Sequence, residues 1–330
     1  MKKIFALLLS AALLVTLLAA CGGGNTTDTD TDTQEPAADA STTQVEEQEP
    51  DTGDASKDDP LNQDEIGEKE LLVVSFGTSY NDSRRETIGA IEKAMQTAFP
   101  DYSVRRAFTS QIIIDHVKDR DGVTIDNVEQ ALERAVNNGV KTLVVQPTHL
   151  MNGLEYEELT DELAKYSDSF EKIAIGDPLL TSDADFEAVM TAITDATKDA
   201  TDGKTAICFM GHGTTADSNS VYSKMQTLLT DKGFNDYYVG TVEATPSLDD
   251  VLAAVQNGNY EKVILRPLMI VAGDHANNDM AGDEDDSWKS TFEKAGYTVD
   301  CQVEGLGQLE AIQQLFVEHA KAAVASAEAE

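Results

Sequence analysis

Three residues of types that bind metal ions are almost evenly spaced along the chain: His212, Glu243 and His275. Each follows a short apolar run, in "FMGHG", "GTVEATP" and "IVAGDH". Two imidazoles and a carboxylate suit a divalent first-row metal ion that keeps a position open for another ligand. A neutral imidazole can also accept a proton near neutral pH. The residue types therefore predict a centre that binds a divalent metal ion and moves protons.

These residues would meet if the apolar runs before them were neighbouring parallel strands. From Leu71 onward, short apolar runs alternate with segments of helical spacing, which is typical of an α/β fold with parallel sheets. Ligands of such sheets bind outside the carboxyl ends of the strands. His149 follows another apolar run, "TLVVQP", with Glu155 shortly after it. We therefore predict that the site lies at the carboxyl ends of the strands.

The second half of the chain repeats the first. "VVQPTHLMNGLEY" aligns with "VILRPLMIVAGDHAN", which places Gly153 on Gly273 and Glu155 on His275. Two similar halves would form facing walls of a cleft, with Glu155 and His275 in equivalent places. Glu155 is therefore a candidate to take or pass on a proton. His149 either lies behind Glu155 or is an ordinary buried histidine.

The repeat and the composition predict the organisation of the whole chain. We expect two similar doubly wound parallel-sheet lobes, residues 71–200 and 201–330, with a cleft between them. Residues 21–70 are acidic and hold few large apolar side chains, so we expect a disordered linker. A cation-collecting tail is the alternative, but these acids lack the spacing of a calcium loop.

The amino end is typical of an exported lipoprotein. Lys2 and Lys3 precede the apolar run "IFALLLSAALLVTLLAA", and "LAAC" resembles the bacterial lipobox. We predict that residues 1–20 are a signal peptide, that Cys21 carries lipid, and that the protein is held at the outer side of a membrane. The alternative is a membrane-spanning anchor, for which the run is at the short limit.

Charge excludes one class of partner. The formal net charge is −36, from 60 acidic against 24 basic residues. Phosphate backbones bind basic faces, so nucleic acid is excluded as a partner, whereas an acidic body attracts cations. Cys208 and Cys301 remain once Cys21 is lipid-modified, and the sequence leaves open whether they pair. Self-association into an oligomer also stays open.

The glycines around His212 permit a second interpretation. "GHGTTA" fits the dinucleotide-binding pattern G-x-G-x-x-A, but no acid follows about 20 residues later at the end of the next strand. His212 could also be a structural histidine. At the other histidine, Asp274 precedes His275 directly, and we expect its carboxylate to orient the imidazole.

Several motifs together resemble one known family. "VVSFGTSY", "RAFTSQIII", "MGHG", "GDHANNDMAGDEDDSWK" and "AIQQLFVEH" are similar to the anaerobic cobalt chelatases, the sirohydrochlorin cobaltochelatases of cobalamin synthesis. The resemblance runs from about Leu71 to the end of the chain. It implies an ATP-independent chelatase related in fold to ferrochelatase, with two α/β lobes around a tetrapyrrole cleft.

The resemblance also implies roles for the candidate residues. His212 and His275 match the essential histidines, Glu243 matches the carboxylate that completes metal binding, and Glu155 matches an acidic residue lining the site. The expected reaction inserts Co²⁺, or Fe²⁺, into sirohydrochlorin or a related tetrapyrrole, and it requires no cofactor beyond the substrate metal. The alternative is a non-catalytic surface lipoprotein that binds metal or tetrapyrrole for uptake. We expect Arg105, Arg106 or Arg266 to meet the carboxylates of the substrate.

Overall fold

Eight parallel strands form two four-stranded sheets in the computed structural model, which describes residues 51–329. The strand order is β2-β1-β3-β4 in the first sheet and β6-β5-β7-β8 in the second, so the second repeats the first. The strands are β1 (Lys69–Ser75), β2 (Ser103–Phe108), β3 (Thr142–Pro147), β4 (Lys172–Ile175), β5 (Thr205–Gly211), β6 (Tyr237–Thr241), β7 (Lys262–Pro267) and β8 (Thr298–Cys301). The predicted α/β fold with two similar parallel sheets is confirmed.

Continuous apolar runs form the central strands because helices cover both faces of each sheet. Every residue of β1 after Lys69 is buried, and so is every residue of β5. A parallel sheet covered on both faces needs such runs, whereas a half-exposed strand would alternate polar and apolar residues. Cys208 and Cys301 are both free thiols. Leu265 of β7 pairs with both of them and therefore lies between them in the sheet.

Ten α-helices connect the strands in the described part of the chain. They are α1 (Asn81–Glu86), α2 (Ile88–Ala98), α3 (Gln111–Asp121), α4 (Val128–Asn137), α5 (Leu154–Ala164), α6 (Asp183–Thr197), α7 (Ser220–Asp231), α8 (Leu248–Gln256), α9 (Trp288–Lys294) and α10 (Glu310–Ala329). Three of them begin with a reciprocal capping box, in which the N-cap and N3 side chains each bond the other's backbone N–H. The N-cap residues are Asn127, Ser182 and Ser247.

The last helix of each half packs beyond its own sheet. Helix α10 lies against β3 and β4 of the first sheet. Helix α6 lies beside α7, and Thr197 at its end hydrogen-bonds Tyr237 of β6 at 2.8 Å. One apolar core runs through both halves as a result, from Leu71 of β1 to Ile207 of β5. The boundary near residue 200 therefore separates the sheets in sequence, but residues on either side of it share a core.

Residues 51–62 form a segment that we call the N-terminal strap. It is ordered, so the prediction of a disordered linker over residues 21–70 is wrong for this segment. Asp58 of the strap accepts hydrogen bonds from Arg84 Nε at 2.6 Å and Arg106 Nη1 at 2.7 Å, and all three side chains are buried. Leu61 joins the core, and its carbonyl accepts from Arg105 Nε at 3.2 Å. Sparse apolar composition suggested disorder here, but one leucine and one carboxylate with buried partners are enough to order the segment.

The predicted signal peptide, the predicted lipid attachment at Cys21 and residues 21–50 of the predicted linker lie outside the described residues. Within residues 51–329, the helices are each too short or too polar to cross a membrane.

Candidate metal centre

Three adjacent strands of the second sheet present the three candidate ligands. His212 follows β5, Glu243 lies two residues after β6, and His275 lies in the segment after β7. The order β6-β5-β7 makes these strands neighbours, so their carboxyl ends share one edge of the sheet. The alternation of strands and helices thus brings together residues that are far apart in sequence, as predicted.

Glycines on both sides of His212 allow its loop to pack closely, against Tyr222 of α7 on one side and against the loop that carries Glu243 on the other. A Cβ on Gly211 would lie 2.1 Å from the ring of Tyr222, and one on Gly213 would lie 2.9 Å from the backbone nitrogen of Ala244. Gly213 also has φ +89°, a conformation that other residues rarely adopt. The Glu243 N–H donates to the His212 carbonyl at 2.9 Å. Close backbone packing therefore fixes the relative positions of these two residues.

The three side chains are close enough to share one ion. One donor atom from each of His212, Glu243 and His275 lies within 4.8 Å of the other two. The two imidazole centroids are 4.6 Å apart, and His212 Nε2 is 3.7 Å from Glu243 Oε1. An ion with bonds of about 2.1 Å in a tetrahedral site needs donors roughly 3.4 Å apart. Small rotations of these partly exposed side chains would close the site on an ion.

Electrostatics favour a neutral imidazole at His212. Burial and the neighbouring His275 lower the pKa of His212 below its ordinary 6.5, against the opposing effect of Glu243. A neutral imidazole has a lone pair for a metal ion. About half of the His212 and Glu243 side-chain surfaces is exposed, so a cation can reach them from solvent. The arrangement is suited to bind a divalent cation and then release it.

His275 is held by a carboxylate other than the expected one. Its Nδ1 lies 2.7 Å from Asp279 Oδ2, four residues further on. Asp274 instead accepts a hydrogen bond from Asn278 Nδ2 at 2.7 Å. The prediction that Asp274 orients His275 is therefore wrong. The chain forms a π-helical turn over Ala276–Met280, which places residues 275 and 279 side by side, whereas adjacent residues point apart.

The carboxyl edges of the two sheets face each other. The Ala272 N–H, after β7, donates to Ser83 Oγ of the first half at 3.0 Å. A Cβ on Gly273 would lie 3.0 Å from Thr78 Oγ1, and one on Gly153 would lie 3.3 Å from Ser218 Oγ. Loops after β1 and β3 thus meet loops after β7 and β5. The candidate ligands His212 and His275 belong to the same loops of the second half that make these contacts.

Glu155 and His149 form a separate pair on the first half. Among the described residues, Glu155 is not part of the group that could share an ion with His212. Its carboxylate lies 3.6 Å from Nε2 of the buried His149. Burial, helped by the charge of Glu158, raises the pKa of Glu155, and burial lowers the pKa of His149 to about 4. Neither ring nitrogen of His149 has a hydrogen-bond partner within residues 51–329. His149 therefore lies behind Glu155 as a neutral imidazole.

Sequence reasoning missed three exposed apolar side chains at the edge of the first sheet. Phe76 follows β1, Ile112 lies in the first turn of α3 after β2, and Leu154 begins α5 after β3. Their exposures are 47%, 83% and 60%. We call Phe76, Ile112 and Leu154 the apolar ledge. Their position directly after strand ends was a usable signal, because a large apolar residue in a site loop is available to a ligand.

The three arginines that we expected to bind the substrate carboxylates are buried, so a substrate cannot reach them. Arg105 and Arg106 are fully buried, and Arg105 Nη2 donates to Asp126 at 3.2 Å. Arg266 is 5% exposed, and its Nη2 donates to Glu304 at 2.8 Å. The arginines face helices and loops that cover the sheets, where nearby acids neutralise them. The expectation that they meet substrate carboxylates is wrong.

Comparisons with known proteins agree on one family. The family model "Cobalt chelatase (CbiK)" matches residues 69–325. The chain is 38% identical over 251 residues to the sirohydrochlorin cobaltochelatase of Salmonella typhimurium, covering 76% of this chain and 94% of that protein. It is 30% identical over 260 residues to the sirohydrochlorin cobaltochelatase CbiKC of Nitratidesulfovibrio vulgaris, covering 78% and 91%.

A solved structure shares the fold at low sequence identity. The sirohydrochlorin chelatase SirB from Bacillus subtilis subspecies spizizenii, in complex with cobalt, superposes with a TM-score of 0.55 at 14% identity. The match covers 80% of this chain and 98% of SirB. At this identity the likeness concerns the arrangement of strands and helices.

Proposed function

The chain belongs to the cobalt chelatase (CbiK) family, and from this we propose that it is a sirohydrochlorin cobaltochelatase. The enzyme inserts Co²⁺ into sirohydrochlorin without ATP. Each turnover exchanges one Co²⁺ for the two inner N–H protons of the metal-free macrocycle. We extend the proposal to Fe²⁺ as a second metal substrate, since the same donor set of two imidazoles and a carboxylate suits both ions.

The convergence of His212, Glu243 and His275 is the observation that carries the proposal. Relatives that cover most of the chain are named as cobaltochelatases. In this chain the three donor atoms lie within 4.8 Å of one another at the junction of the two sheets. A protein that only carried metal would be expected to enclose the ion, whereas these ligands are partly exposed and can pass it on. The non-catalytic uptake alternative is therefore not favoured.

Each candidate residue has a role in this reaction. His212, Glu243 and His275 hold Co²⁺ as substrate beside the macrocycle. As the ion moves into the ring, the imidazoles regain their lone pairs, and one of them accepts one of the two departing protons. Glu155 accepts the other proton, since its carboxyl already has a raised pKa. Both protons then pass to solvent, which balances the exchange.

The apolar ledge supports binding of the macrocycle. A tetrapyrrole has a large flat apolar face, and binding sites for such ligands are lined mainly by apolar side chains. Phe76, Ile112 and Leu154 provide that surface at the edge of the first sheet. We propose that the first half binds the ring and the second half delivers the metal.

Spectroscopy of metal insertion tests the function. Purified residues 22–330 are mixed anaerobically with sirohydrochlorin and Co²⁺, and the visible spectrum of the tetrapyrrole is followed. We expect metallation faster than without protein, loss of the acceleration in His212→Ala, and its retention in the matched control His116→Ala, whose side chain is exposed on α3. Binding of sirohydrochlorin without faster metallation would contradict the proposal.

We also propose that the enzyme is an exported lipoprotein anchored through Cys21. The support is the sequence of residues 1–21 alone. Growth with radioactive palmitate should label the wild-type protein and leave Cys21→Ser unlabelled, and fractionation should place only the wild type with membranes. Equal labelling of both proteins, or an unlabelled wild type, would contradict the anchor.

A further inference from the structure

The contact between His275 and Asp279 constrains which nitrogen of His275 can bind a metal. Asp279 Oδ2 lies 2.7 Å from His275 Nδ1. A carboxylate can only accept a hydrogen bond, so Nδ1 carries the proton of the neutral ring. Nε2 then holds the lone pair. Of the two ring nitrogens, Nε2 is the one that is free to bind a cation.

We propose that Asp279 is a positioning residue for the metal centre and that it acts through His275. Its carboxylate fixes the tautomer and the orientation of the imidazole, and its negative charge strengthens the bond from Nε2 to Co²⁺. Carboxylates that accept from the second nitrogen of a metal-bound histidine have this effect in other metal sites, where their removal costs about 10–100-fold in affinity or activity. The proposal rests on the proposed function, because Co²⁺ is the ion that the centre would bind.

The backbone around Asp279 is built to hold this contact. Residues 276–280 form a π-helical turn, a rare widened turn often found at functional sites. Ala276 and Met280 within it are fully buried in the core of the second half, which anchors the turn. His275 and Asp279 precede these two anchors and remain partly exposed, at 35% and 43%. The turn therefore presents the pair to solvent from a fixed base.

Asp274 supplies a matched control on the same turn. Its carboxylate also accepts a hydrogen bond at 2.7 Å, but from Asn278. Asp274→Asn removes one negative charge from the same segment without removing the partner of His275. A general electrostatic contribution of acids near the site would weaken Co²⁺ binding in both variants, whereas the proposed mechanism weakens it only in Asp279→Asn.

The test measures Co²⁺ binding directly and separately from insertion. Co²⁺ is titrated into residues 22–330 without tetrapyrrole, and the visible absorption of the bound ion is recorded. The same variants are then assayed for kcat and for the KM of Co²⁺. For Asp279→Asn we expect the Co²⁺ affinity to fall about 10–100-fold, with a matching rise in KM and a smaller change in kcat. Asp279→Glu should recover part of the affinity, and Asp274→Asn should resemble wild type.

Each outcome decides the proposal. Unchanged Co²⁺ affinity in Asp279→Asn overturns it, and so does an equal loss in Asp274→Asn. If Asp279→Asn fails to fold, as judged by circular dichroism, Asp279→Glu carries the test: a Co²⁺ affinity below that of wild type supports the proposal, and a wild-type affinity overturns it. Wild-type protein that binds Co²⁺ but does not accelerate insertion defeats the proposed function and leaves the binding comparison valid.

Discussion

His212 and His275 are positioned by different means. Backbone packing of the glycine-flanked His212 loop holds it beside the Glu243 loop, with a hydrogen bond of 2.9 Å between their main chains. A side-chain contact with Asp279 holds His275. Substitution at the glycines should therefore disturb the fold of the loops. Substitution at Asp279 should disturb the metal centre alone.

Glu155 should contribute to the chemical step and little to metal binding. Among the described residues, its carboxylate does not belong to the group that could share an ion. We expect Glu155→Gln to lower kcat by about 100-fold, a typical effect of losing a general base, and to leave the KM for Co²⁺ within a few-fold of wild type. Steady-state kinetics check this. Glu157→Gln, at an exposed position of the same helix, is the control, and a Glu155→Gln variant with normal kcat would remove Glu155 from the mechanism.

Glu70 should make the stability of the first half depend on pH. It is fully buried, and neither carboxylate oxygen has a hydrogen-bond partner in residues 51–329. Burial raises the pKa of Glu70 from 4.5 to about 7, against the opposing charge of Arg105. The folded state therefore binds the proton more tightly than the unfolded state. The contribution of Glu70 protonation to the free energy of unfolding is fully present below pH 4.5. It is lost as the pH rises through the folded pKa of about 7.

The variant Glu70→Gln isolates this effect. We expect Glu70→Gln to raise the free energy of unfolding relative to wild type. This gain should be larger at pH 8 than at pH 4.5, by up to about 3 kcal/mol. Urea unfolding at both values measures the difference between variant and wild type. An equal effect at the two pH values would show that folding does not raise the pKa of Glu70.

The sequence predicts the group of candidate ligands but not Asp279, the residue that holds His275. His212, Glu243 and His275 follow apolar runs, so the topology of parallel strands brings them together. Asp279 could not be found this way, because the apolar runs do not reveal that the chain turns helically after His275 and brings residues 275 and 279 together. The expected arginines failed for a related reason. Arg105 and Arg106 lie within a strand that is buried on both faces, and there charges bind each other.

The N-terminal strap is the element that the sequence predicts least well. Its composition matches that of a disordered linker, yet Asp58 lies between the buried Arg84 and Arg106. Burial alone would raise the pKa of Asp58, but hydrogen bonds and charge from Arg106 and Arg84 outweigh it and hold the pKa below its ordinary 3.8. The carboxylate thus stabilises the fold above about pH 4, and this stabilisation is lost as the pH falls below the lowered pKa.

Removing the strap carboxylate should be costly. We expect Asp58→Ala to lower the free energy of unfolding by about 3–5 kcal/mol at pH 7, because two buried arginines lose a partner. Urea unfolding measures it, and Asp54→Ala is the control, since Asp54 lies in the same strap with a half-exposed side chain. An Asp58→Ala protein as stable as Asp54→Ala would mean that the strap does not stabilise the fold.

The two halves of the protein depend on each other for their packing. Helix α10 covers the first sheet, and α6 packs against α7 and α10 of the second half, so each half lacks part of its packing when alone. The internal repeat predicts two similar sheets, and the structure has them. This packing could not be predicted, because an apolar helix face does not specify which element covers it.

Separate expression should expose this dependence. We expect residues 51–200 and residues 201–330 each to lack the cooperative thermal unfolding of residues 51–330. Circular dichroism during heating measures this. A half that unfolds cooperatively at a temperature near that of the joined protein would contradict a shared core.

Cobalt anomalous diffraction locates the bound ion itself. Crystals of residues 51–330 grown with Co²⁺ are measured on both sides of the cobalt absorption edge. We predict one strong anomalous peak within about 2.1 Å of a nitrogen of His212, a nitrogen of His275 and an oxygen of Glu243. A peak bound elsewhere, or one that persists unchanged in His212→Ala crystals, would contradict a metal centre formed by these three residues.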